Sequence, residues 1–278
     1  MVAHAQAHAA AFFDLDKTII ATSSAFAFGK EFLHNGMISR SEAWDMYWSK
    51  VSYMLVGQSS DKMDSTRDSL AEMVAGWDVD DVARITEATM RTVVTPAIYA
   101  EARELIDEHK RAGHDVIIIS ASAKILVEPI ARELGVDTVV ATEMSIEDGK
   151  LTGEITSYLK GEAKADAVRA FAADNSYVLQ ESFAYSDSAT DIPMLSLVGH
   201  PTAVNPDRAL KKHALSHGWP ILSFKNPEPL MQMPNAKEVT IGAGVVAGVA
   251  ALILGATLIT RSLHKEVKGP DATAQDAQ

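Results

Sequence analysis

Short apolar runs alternate with helical segments along most of this chain, and this alternation limits the possible folds more than any other feature. The run AFFDL at 11–15 is typical of a buried parallel strand, and the branched residues of DVIIIS at 115–120 indicate a second. Further strands are expected at 137–142, 183–187 and 201–205, and helices at 123–134 and 162–173. Strands that alternate with helices predict an α/β fold with a doubly wound, mostly parallel sheet.

A long helical segment, residues 24–95, interrupts this alternation after the first strand. Its first helix, SSAFAFGKEFLHNG, ends at a glycine stop signal, and apolar residues continue beyond it at helical spacing. Pro96 is expected to open the next helix, which extends to about Ala112. Asp148 and Gly149 separate two stretches of alternating hydrophobicity and predict a hairpin with a two-residue turn. We therefore expect one catalytic core that carries a helical insertion.

The C-terminal region gives a second, separate signal. Residues 226–235 contain three prolines and indicate a linker, because proline cannot continue a helix or a central strand. Residues 239–260 carry no charge and have about the length that a transmembrane helix needs. The alternative is a buried core helix, but a helix that is apolar on every side and follows a linker has no evident packing partner. Gly244 and Gly248 form a small-xxx-small pair that would allow two such helices to associate as a homodimer.

The composition excludes several classes of function. A net charge of -12 argues against a nucleic-acid partner, because such proteins usually present a basic face to the phosphates. The chain has no cysteine, so disulfides and thiolate zinc sites are impossible. Its first ten residues lack the basic region and apolar run of a secretory signal. We expect a protein of the cell membrane, held by a single C-terminal helix, with its catalytic part in the cytoplasm.

These observations predict six parts. The core comprises residues 11–23 and 96–225, and the helical insertion comprises residues 24–95. The remaining parts are a flexible N-terminus (1–10), a linker (226–238), a transmembrane helix (239–260) and a tail (261–278).

Two acids, Asp14 and Asp16, lie two residues apart where the first strand ends. A carboxylate nucleophile needs a second group that protonates the leaving oxygen and then activates water, and this spacing supplies such a pair. An acidic turn at a strand end is an equally good interpretation of this pentapeptide alone. The decision depends on residues elsewhere in the chain.

Four segments together resemble the motifs of the haloacid dehalogenase superfamily, and most closely its subfamily IB, the branch that contains phosphoserine phosphatase. The resemblance covers residues 11–222, and the segments occur in the order that the family shows. They are DLDKT with Asp14 and Asp16, IIISAS with Ser120, GEAKADAV with Lys164, and YSDSATDIPML with Asp187 and Asp191. The resemblance implies a phosphatase with a Rossmann-like core, in which residues 24–95 form a small helical cap.

The resemblance also implies a role for each residue. Asp14 would be the nucleophile that forms an aspartyl-phosphate, and Asp16 would be the general acid and base. Ser120 and Lys164 would bind the phosphoryl group. Neutralisation of the charge that spreads over the phosphoryl oxygens is the main requirement of this chemistry.

Magnesium is the cofactor that the resemblance implies, and hard oxygen ligands suit this ion. Its ligands would be the carboxylates of Asp14 and Asp187 and the backbone carbonyl of Asp16, with Asp191 in support. Asp16, Lys17 and Thr18 also resemble the phosphorylated motif of P-type pumps. Ile19 replaces the glycine of that motif, and one spanning helix cannot build an ion pathway, so Asp14 remains the predicted nucleophile.

The substrate is less defined than the reaction. Phosphoserine phosphatases have a glutamate nine residues after the nucleophile, where this chain has Ser23. Arg67 and Arg84 are possible partners for a substrate carboxylate. The aromatic and methionine residues of the insertion are expected to form its core, although they would also suit a lipid phosphate; they are Trp44, Met46, Tyr47, Trp48, Tyr53, Met54 and Trp77. A small or lipid phosphate ester is therefore the predicted substrate, and a phosphotransferase or a silent, membrane-tethered binding module is the alternative.

Overall fold

The computed structural model describes residues 8–39 and 71–227. Within them, one sheet has the strand order β4-β3-β2-β1-β5-β6-β7. The strands are β1 (Ala10–Phe13), β2 (Asp115–Ala123), β3 (Thr138–Glu147), β4 (Lys150–Ser157), β5 (Phe183–Ser186), β6 (His200–Val204) and β7 (Ile221–Leu222). The α-helices are α1 (Ser24–His34), α2 (Val79–Thr89), α3 (Ala100–Arg111), α4 (Lys124–Glu133), α5 (Glu162–Asp174), α6 (Ile192–Leu195) and α7 (Arg208–His217).

The sheet is mostly parallel, as predicted. Neighbouring strands run parallel from β3 through to β7, and β4 pairs antiparallel with β3. The first strand lies in the middle, between β2 and β5, so the chain builds the sheet outward in both directions from β1. In a doubly wound sheet a crevice forms at this reversal point, beyond the carboxyl end of the central strand. That position is where Asp14 leaves β1.

Period-2 alternation along the central strands divides the core into two layers. Ala11 and Phe13 contribute to one hydrophobic cluster, and Ala10 and Phe12 contribute to the other. All four residues are at most 1% exposed, which is the burial expected for a parallel strand covered on both faces. The sheet therefore holds the end of β1 rigidly between two packed layers.

The described part of the insertion packs with one of these layers. Phe28 and Phe32 of α1 and Ile85 of α2 belong to the cluster that includes Phe13. Trp77 packs on Phe32 with ring centroids 5.1 Å apart, which agrees with the expected role of this aromatic residue in the core. The other aromatic and methionine residues that the sequence singled out, at 44–54, lie outside the described residues.

The prediction that Pro96 opens the next helix is wrong. Pro96 lies in a separate 3-10 turn, Thr95–Ala97, and α3 begins only at Ala100. Between the two, Ile98 forms a bridge with Ile20, and the Tyr99 N–H donates to the carbonyl of Ile19 at 2.9 Å. These pairings require extended backbone, so tertiary contact outweighs the local preference of proline for a helix start.

The predicted hairpin is confirmed, and its strands are longer than expected. Asp148 and Gly149 have φ angles of 48° and 75°, as a two-residue turn with both central residues left-handed requires. Beyond the predicted elements, the chain adds α6, α7 and the short strand β7. Asp207 caps α7 by accepting from the Leu210 N–H at 2.7 Å.

The start of the predicted linker contacts the core. Glu101 accepts hydrogen bonds from the main-chain N–H groups of Lys225 and Asn226, at 2.9 and 3.4 Å. Over residues 8–39 and 71–227, no helix has the length and apolar character to span a bilayer. The segments 1–7 and 228–278, which include the predicted transmembrane helix at 239–260 and its Gly244–Gly248 pair, lie outside the described residues. The membrane anchor and the homodimer stay predictions.

Candidate active site

Two adjacent parallel strands end in the predicted acids. Asp14 follows β1 directly and is anchored by its own N–H, which donates to the carbonyl of Tyr185 at 2.9 Å. Asp187 follows β5, the neighbour of β1. On the other side of β1, Ser120 lies in the terminal part of β2, next to a shift in its register with β3. Sheet topology therefore brings three of the predicted residues to one edge, although they are far apart in sequence.

Lys164 forms ion pairs with two acids of the site, Asp14 and Asp191. Its Nζ donates to Asp14 Oδ1 at 2.6 Å and to Asp191 Oδ2 at 2.8 Å. The side chain is only 2% exposed, and a buried ammonium of this kind requires charged partners. The lysine lies in the first turn of α5, and the fold brings it to an acid 150 residues away. Lys164 is thus placed to neutralise charge at Asp14.

Burial dominates the electrostatics of Asp14. Desolvation raises the pKa of this carboxyl to about 7, against the opposing effect of Lys164 and with a smaller contribution from Asp191. For Lys164, burial by itself would lower the pKa, but Asp14 and Asp191 outweigh it and raise the pKa above its usual value. The lysine therefore stays charged, and Asp14 is the member of the pair that can exchange a proton near neutral pH.

Asp191 contacts the lysine, and hydrogen bonds of Ser186 and Asp207 fix its loop. Ser186 Oγ donates to Asp191 Oδ2 at 2.7 Å, the oxygen that also accepts from Lys164. Asp207 steadies the same loop by accepting from the Ala189 N–H at 2.9 Å. The sequence suggested that Asp191 supports a metal ion; in the structure its direct contacts hold Lys164 in place.

The donor groups near Asp187 fit a hard divalent cation. Asp187 is 9% exposed, and within residues 8–39 and 71–227 its carboxylate accepts no hydrogen bond. Burial raises its pKa to about 6, while Lys17 opposes this effect and Asp191 and Asp207 add to it. A buried carboxylate without a donor, beside other acids, is stabilised by a bound cation.

In the described part of the chain, no three Asp, Glu or His side chains converge closely enough to hold a metal by themselves. The predicted set does not require this, because its direct ligands are only two carboxylates, of Asp14 and Asp187, and the main-chain carbonyl of Asp16, with Asp191 in support. Oxygen donors of these kinds are those that Mg²⁺ prefers.

Ser120 is placed to donate a hydrogen bond. Its side chain is 1% exposed, and its Oγ accepts from the Ser122 N–H at 3.1 Å. Among the described residues no acceptor engages the Ser120 hydroxyl hydrogen, which is therefore available to an anion in the crevice.

The structure adds several hydroxyl groups that sequence analysis did not identify. Thr18 Oγ1 donates to Asp14 Oδ2 at 3.3 Å. The hydroxyl of Ser122 donates to Asp16, and the hydroxyl of Ser24 donates to that of Ser122. The only sequence signal was their proximity to the motifs, since Thr18 and Ser122 lie within four residues of Asp14 and Ser120. Serine and threonine near a motif are too common for that signal to select them.

The proposed substrate-reading residues show no clear arrangement. Ser23 is partly buried at the start of α1 and makes no side-chain cap. Arg84 is exposed on α2 and pairs with Asp81 at 2.8 Å, and Arg67 lies outside the described residues. The described part of the insertion therefore presents no arginine committed to a substrate carboxylate.

Comparison with known proteins gives consistent results. The family model of haloacid dehalogenase-like hydrolases matches residues 11–196. A probable phosphatase of Mycobacterium tuberculosis strain H37Rv is 46% identical over 252 residues, which cover 90% of this chain and 88% of the relative. A protein of the same strain named phosphoserine phosphatase is 33% identical, over 87% of this chain and 80% of its own length.

Similarity of structure extends to phosphoserine phosphatase. A solved structure described as a phospho-aspartyl intermediate analogue of phosphoserine phosphatase superposes with a TM-score of 0.59, at 22% identity. The match covers 80% of this chain and 95% of that one. At this identity the superposition supports the fold.

Proposed function

The chain belongs to the haloacid dehalogenase-like hydrolase family and is a phosphatase of that family, and we propose that it hydrolyses a phosphate monoester through a phosphorylated Asp14. The observation that carries this proposal is the buried contact between Lys164 Nζ and Asp14 Oδ1, at 2.6 Å. A carboxylate attacks an anionic phosphate slowly unless neighbouring cations offset the repulsion. Lys164 supplies such a charge from a fixed position.

The proposed reaction has two steps. In the first, a carboxylate oxygen of Asp14 bonds to phosphorus, the ester O–P bond breaks, and the leaving oxygen takes a proton from the Asp16 carboxyl group. In the second step, a water molecule gives a proton to the Asp16 carboxylate, and the oxygen of that water attacks phosphorus. The bond between phosphorus and Asp14 breaks, and inorganic phosphate leaves. Asp16 thus acts first as acid and then as base, and both aspartates return to their starting states.

The remaining residues orient the phosphoryl group. The hydroxyl of Ser120 and the ammonium of Lys164 bind its oxygens. Asp14, Asp187 and the carbonyl of Asp16 would hold Mg²⁺, which members of this family generally use. When bound, the ion adds positive charge beside the phosphoryl oxygens.

A small phosphomonoester is the substrate class that we favour, with phosphoserine as the first candidate. A relative named phosphoserine phosphatase is 33% identical to this chain, which supports this candidate. Ser23 differs from the glutamate that phosphoserine phosphatases have at this position, so the amino group would need another partner. A lipid phosphate depends on the membrane helix predicted at 239–260, and no described residue favours it.

The experiment is phosphate release by the purified protein with and without Mg²⁺. The panel contains an aryl phosphate, phosphoserine and lysophosphatidate in detergent, with an added acceptor alcohol in parallel reactions. We expect Mg²⁺-dependent release that Asp14→Asn reduces by at least about a thousandfold, because the nucleophile is lost. Asp115→Asn is the matched control, since Asp115 is exposed and contacts His8 and Tyr177 instead.

Each outcome of this panel has a distinct meaning. Equal release by Asp14→Asn and wild type would exclude Asp14 as the nucleophile. Faster turnover of lysophosphatidate than of phosphoserine would favour a lipid substrate, and a phosphorylated acceptor would identify a phosphotransferase. If no ester in a broad panel releases phosphate, the binding module becomes the better hypothesis.

We also propose that residues 239–260 anchor the protein to the cell membrane, with the catalytic part in the cytoplasm. The proposal rests on the uncharged sequence of this segment. Carbonate extraction of membranes from cells that express the full chain, or a chain that ends at Asn226, tests it. The anchor predicts that only the full chain stays in the membrane pellet, and release of both chains would refute it.

A further inference from the structure

Both carboxylate oxygens of Asp16 accept hydrogen bonds. The main-chain N–H of Ser24 donates to Oδ1 at 2.9 Å, and the hydroxyl of Ser122 donates to Oδ2 at 3.2 Å. The hydroxyl of Ser24 donates in turn to that of Ser122 at 2.7 Å. Residues as far as 106 positions apart therefore converge on one side chain.

We propose that Ser122 is a positioning residue for Asp16, and that the hydroxyl of Ser24 supports it. This inference rests on the proposed function, in which Asp16 transfers the proton. Ser122 does not touch the reacting atoms; it fixes the direction in which the carboxyl group points.

The origin of each contact explains why Ser122 matters more than its neighbours. The bond from Ser24 comes from the first N–H of α1, a group that has no partner inside the helix. Ser23, at the cap position, makes no side-chain cap bond, and Asp16 accepts from this first N–H. Ser122 is the only described donor to Oδ2. Without its hydroxyl, the carboxyl group keeps one bond and can rotate about its terminal torsion, which has a broad energy profile.

Ser122 also connects the acid to the phosphate-binding residue. Its N–H donates to Ser120 Oγ at 3.1 Å, so the irregular C-terminal end of β2 fixes both Ser120 and Asp16. Ser122 therefore fixes the distance between Asp16, the proposed proton donor, and Ser120, which is proposed to bind the phosphoryl group. A small misplacement of a reacting group reduces the rate strongly, which makes this shared support effective.

The chemistry provides a specific test, because the need for the acid depends on the leaving group. A departing alkoxide needs a proton as the ester O–P bond breaks, whereas p-nitrophenolate leaves without one. Loss of orientation at Asp16 should therefore slow alkyl esters much more than activated aryl esters. A general loss of structure or of phosphate binding would slow both classes equally.

The experiment measures kcat/KM for wild type and Ser122→Ala with p-nitrophenyl phosphate, phenyl phosphate and an alkyl phosphate, at saturating Mg²⁺. This ratio reports the steps up to phosphorylation of Asp14, in which Asp16 donates the proton. For Ser122→Ala we expect a loss of about tenfold or more with the alkyl ester and of less than about threefold with p-nitrophenyl phosphate. Ser122→Thr, which keeps a hydroxyl, should restore most of the alkyl activity.

Ser182→Ala is the matched control, because its hydroxyl is also buried but lies at the other end of the sheet. It accepts from the Ala10 N–H at 3.1 Å and donates to the Val178 carbonyl at 2.8 Å. This variant should change all three esters by the same factor. If Ser122→Ala does not fold, Ser24→Ala replaces it and should show the same preference for activated esters, to a smaller extent.

Equal losses of Ser122→Ala on all three esters would overturn the positioning role while leaving the phosphatase intact. Failure of Ser122→Thr to recover the alkyl activity would also overturn it. If wild type itself releases no phosphate from any ester, the proposed function is what fails, so the two failures are distinguishable.

Discussion

Replacement of Lys164 by methionine is the most informative test of the electrostatics at this site. Methionine fills a similar volume without charge, so the change removes the cation and leaves Asp14 and Asp191 in place. The side chains of these acids are only 10% and 5% exposed. Removing one partner of a buried ion pair leaves an uncompensated charge and typically destabilises a protein by about 3–5 kcal/mol. We expect Lys164→Met to lower the free energy of unfolding by that amount at pH 9.

The loss should depend on pH in a predictable direction. Burial already raises the pKa of Asp14 to about 7, and without Lys164 that pKa rises further. Between pH 9 and pH 7 the folded variant then binds more protons than wild type, in which Asp14 is about half protonated at pH 7, and more than the unfolded chain. Stability of the variant relative to wild type therefore increases as the pH falls, by about 1.4 kcal/mol per pH unit for one proton. At pH 7 we expect about 2 kcal/mol of the loss to be recovered.

The assay is urea unfolding of wild type and variant in EDTA, which keeps the carboxylates free of cations, at pH 9 and pH 7. Lys124→Met is the matched control, because Lys124 pairs with Glu143 at 2.9 Å but is 41% exposed. Exposed pairs contribute about 0–1 kcal/mol, so this variant should lose little, at either pH. The reasoning is refuted if Lys164→Met loses no more than Lys124→Met, or if its loss is the same at both pH values.

Three further predictions concern stability and the loop that carries Asp191. Burial, with a smaller effect of His114, lowers the pKa of His109 from 6.5 to about 4. Between these values the unfolded chain binds more protons than the folded protein, so the free energy of unfolding decreases as the pH is lowered. Urea unfolding at pH 4.5 and 7 should therefore show a smaller fall for His109→Phe than for wild type, and equal falls would contradict it. Gly153→Ala should lower the free energy of thermal unfolding by about 1–3 kcal/mol, because φ is +85° and the new Cβ would lie 2.9 Å from a backbone oxygen. Gly149→Asn is the control, because Gly149 lies in an open turn, and it should lower this free energy by less than about 1 kcal/mol. Asp207→Ala should lower the free energy of unfolding by about 1–2 kcal/mol, because the cap of α7 is lost. It should also reduce kcat, because the loop before Asp191 loses its hydrogen bond to Asp207. An unchanged kcat would show that this loop needs no such support.

Local sequence patterns determined the class of fold. The apolar runs that lead into Asp14 and that include Val116 and Ile117 are buried strands, because their alternate side chains enter both layers of the core. Asp148 and Gly149 also specified their turn locally, because the left-handed angles that the turn requires are a property of two adjacent residues. Pro96 shows the limit of local inference, because the pairing of Ile98 with Ile20 imposed extended backbone there. The transmembrane helix at 239–260 is still a prediction from sequence alone.

The chemical types at the site were also readable from sequence, because the order of Asp14, Ser120, Lys164 and Asp187 resembles a known family. Only the tertiary structure decided which of these groups touch. The strand order sets β1 beside β5 and β2, and this arrangement brings Lys164 within 2.6 Å of an acid 150 residues earlier. The hydrogen bond of Ser122 to Asp16 has the same origin. Contacts of this kind depend on how elements pack in space, and no spacing along the chain encodes them.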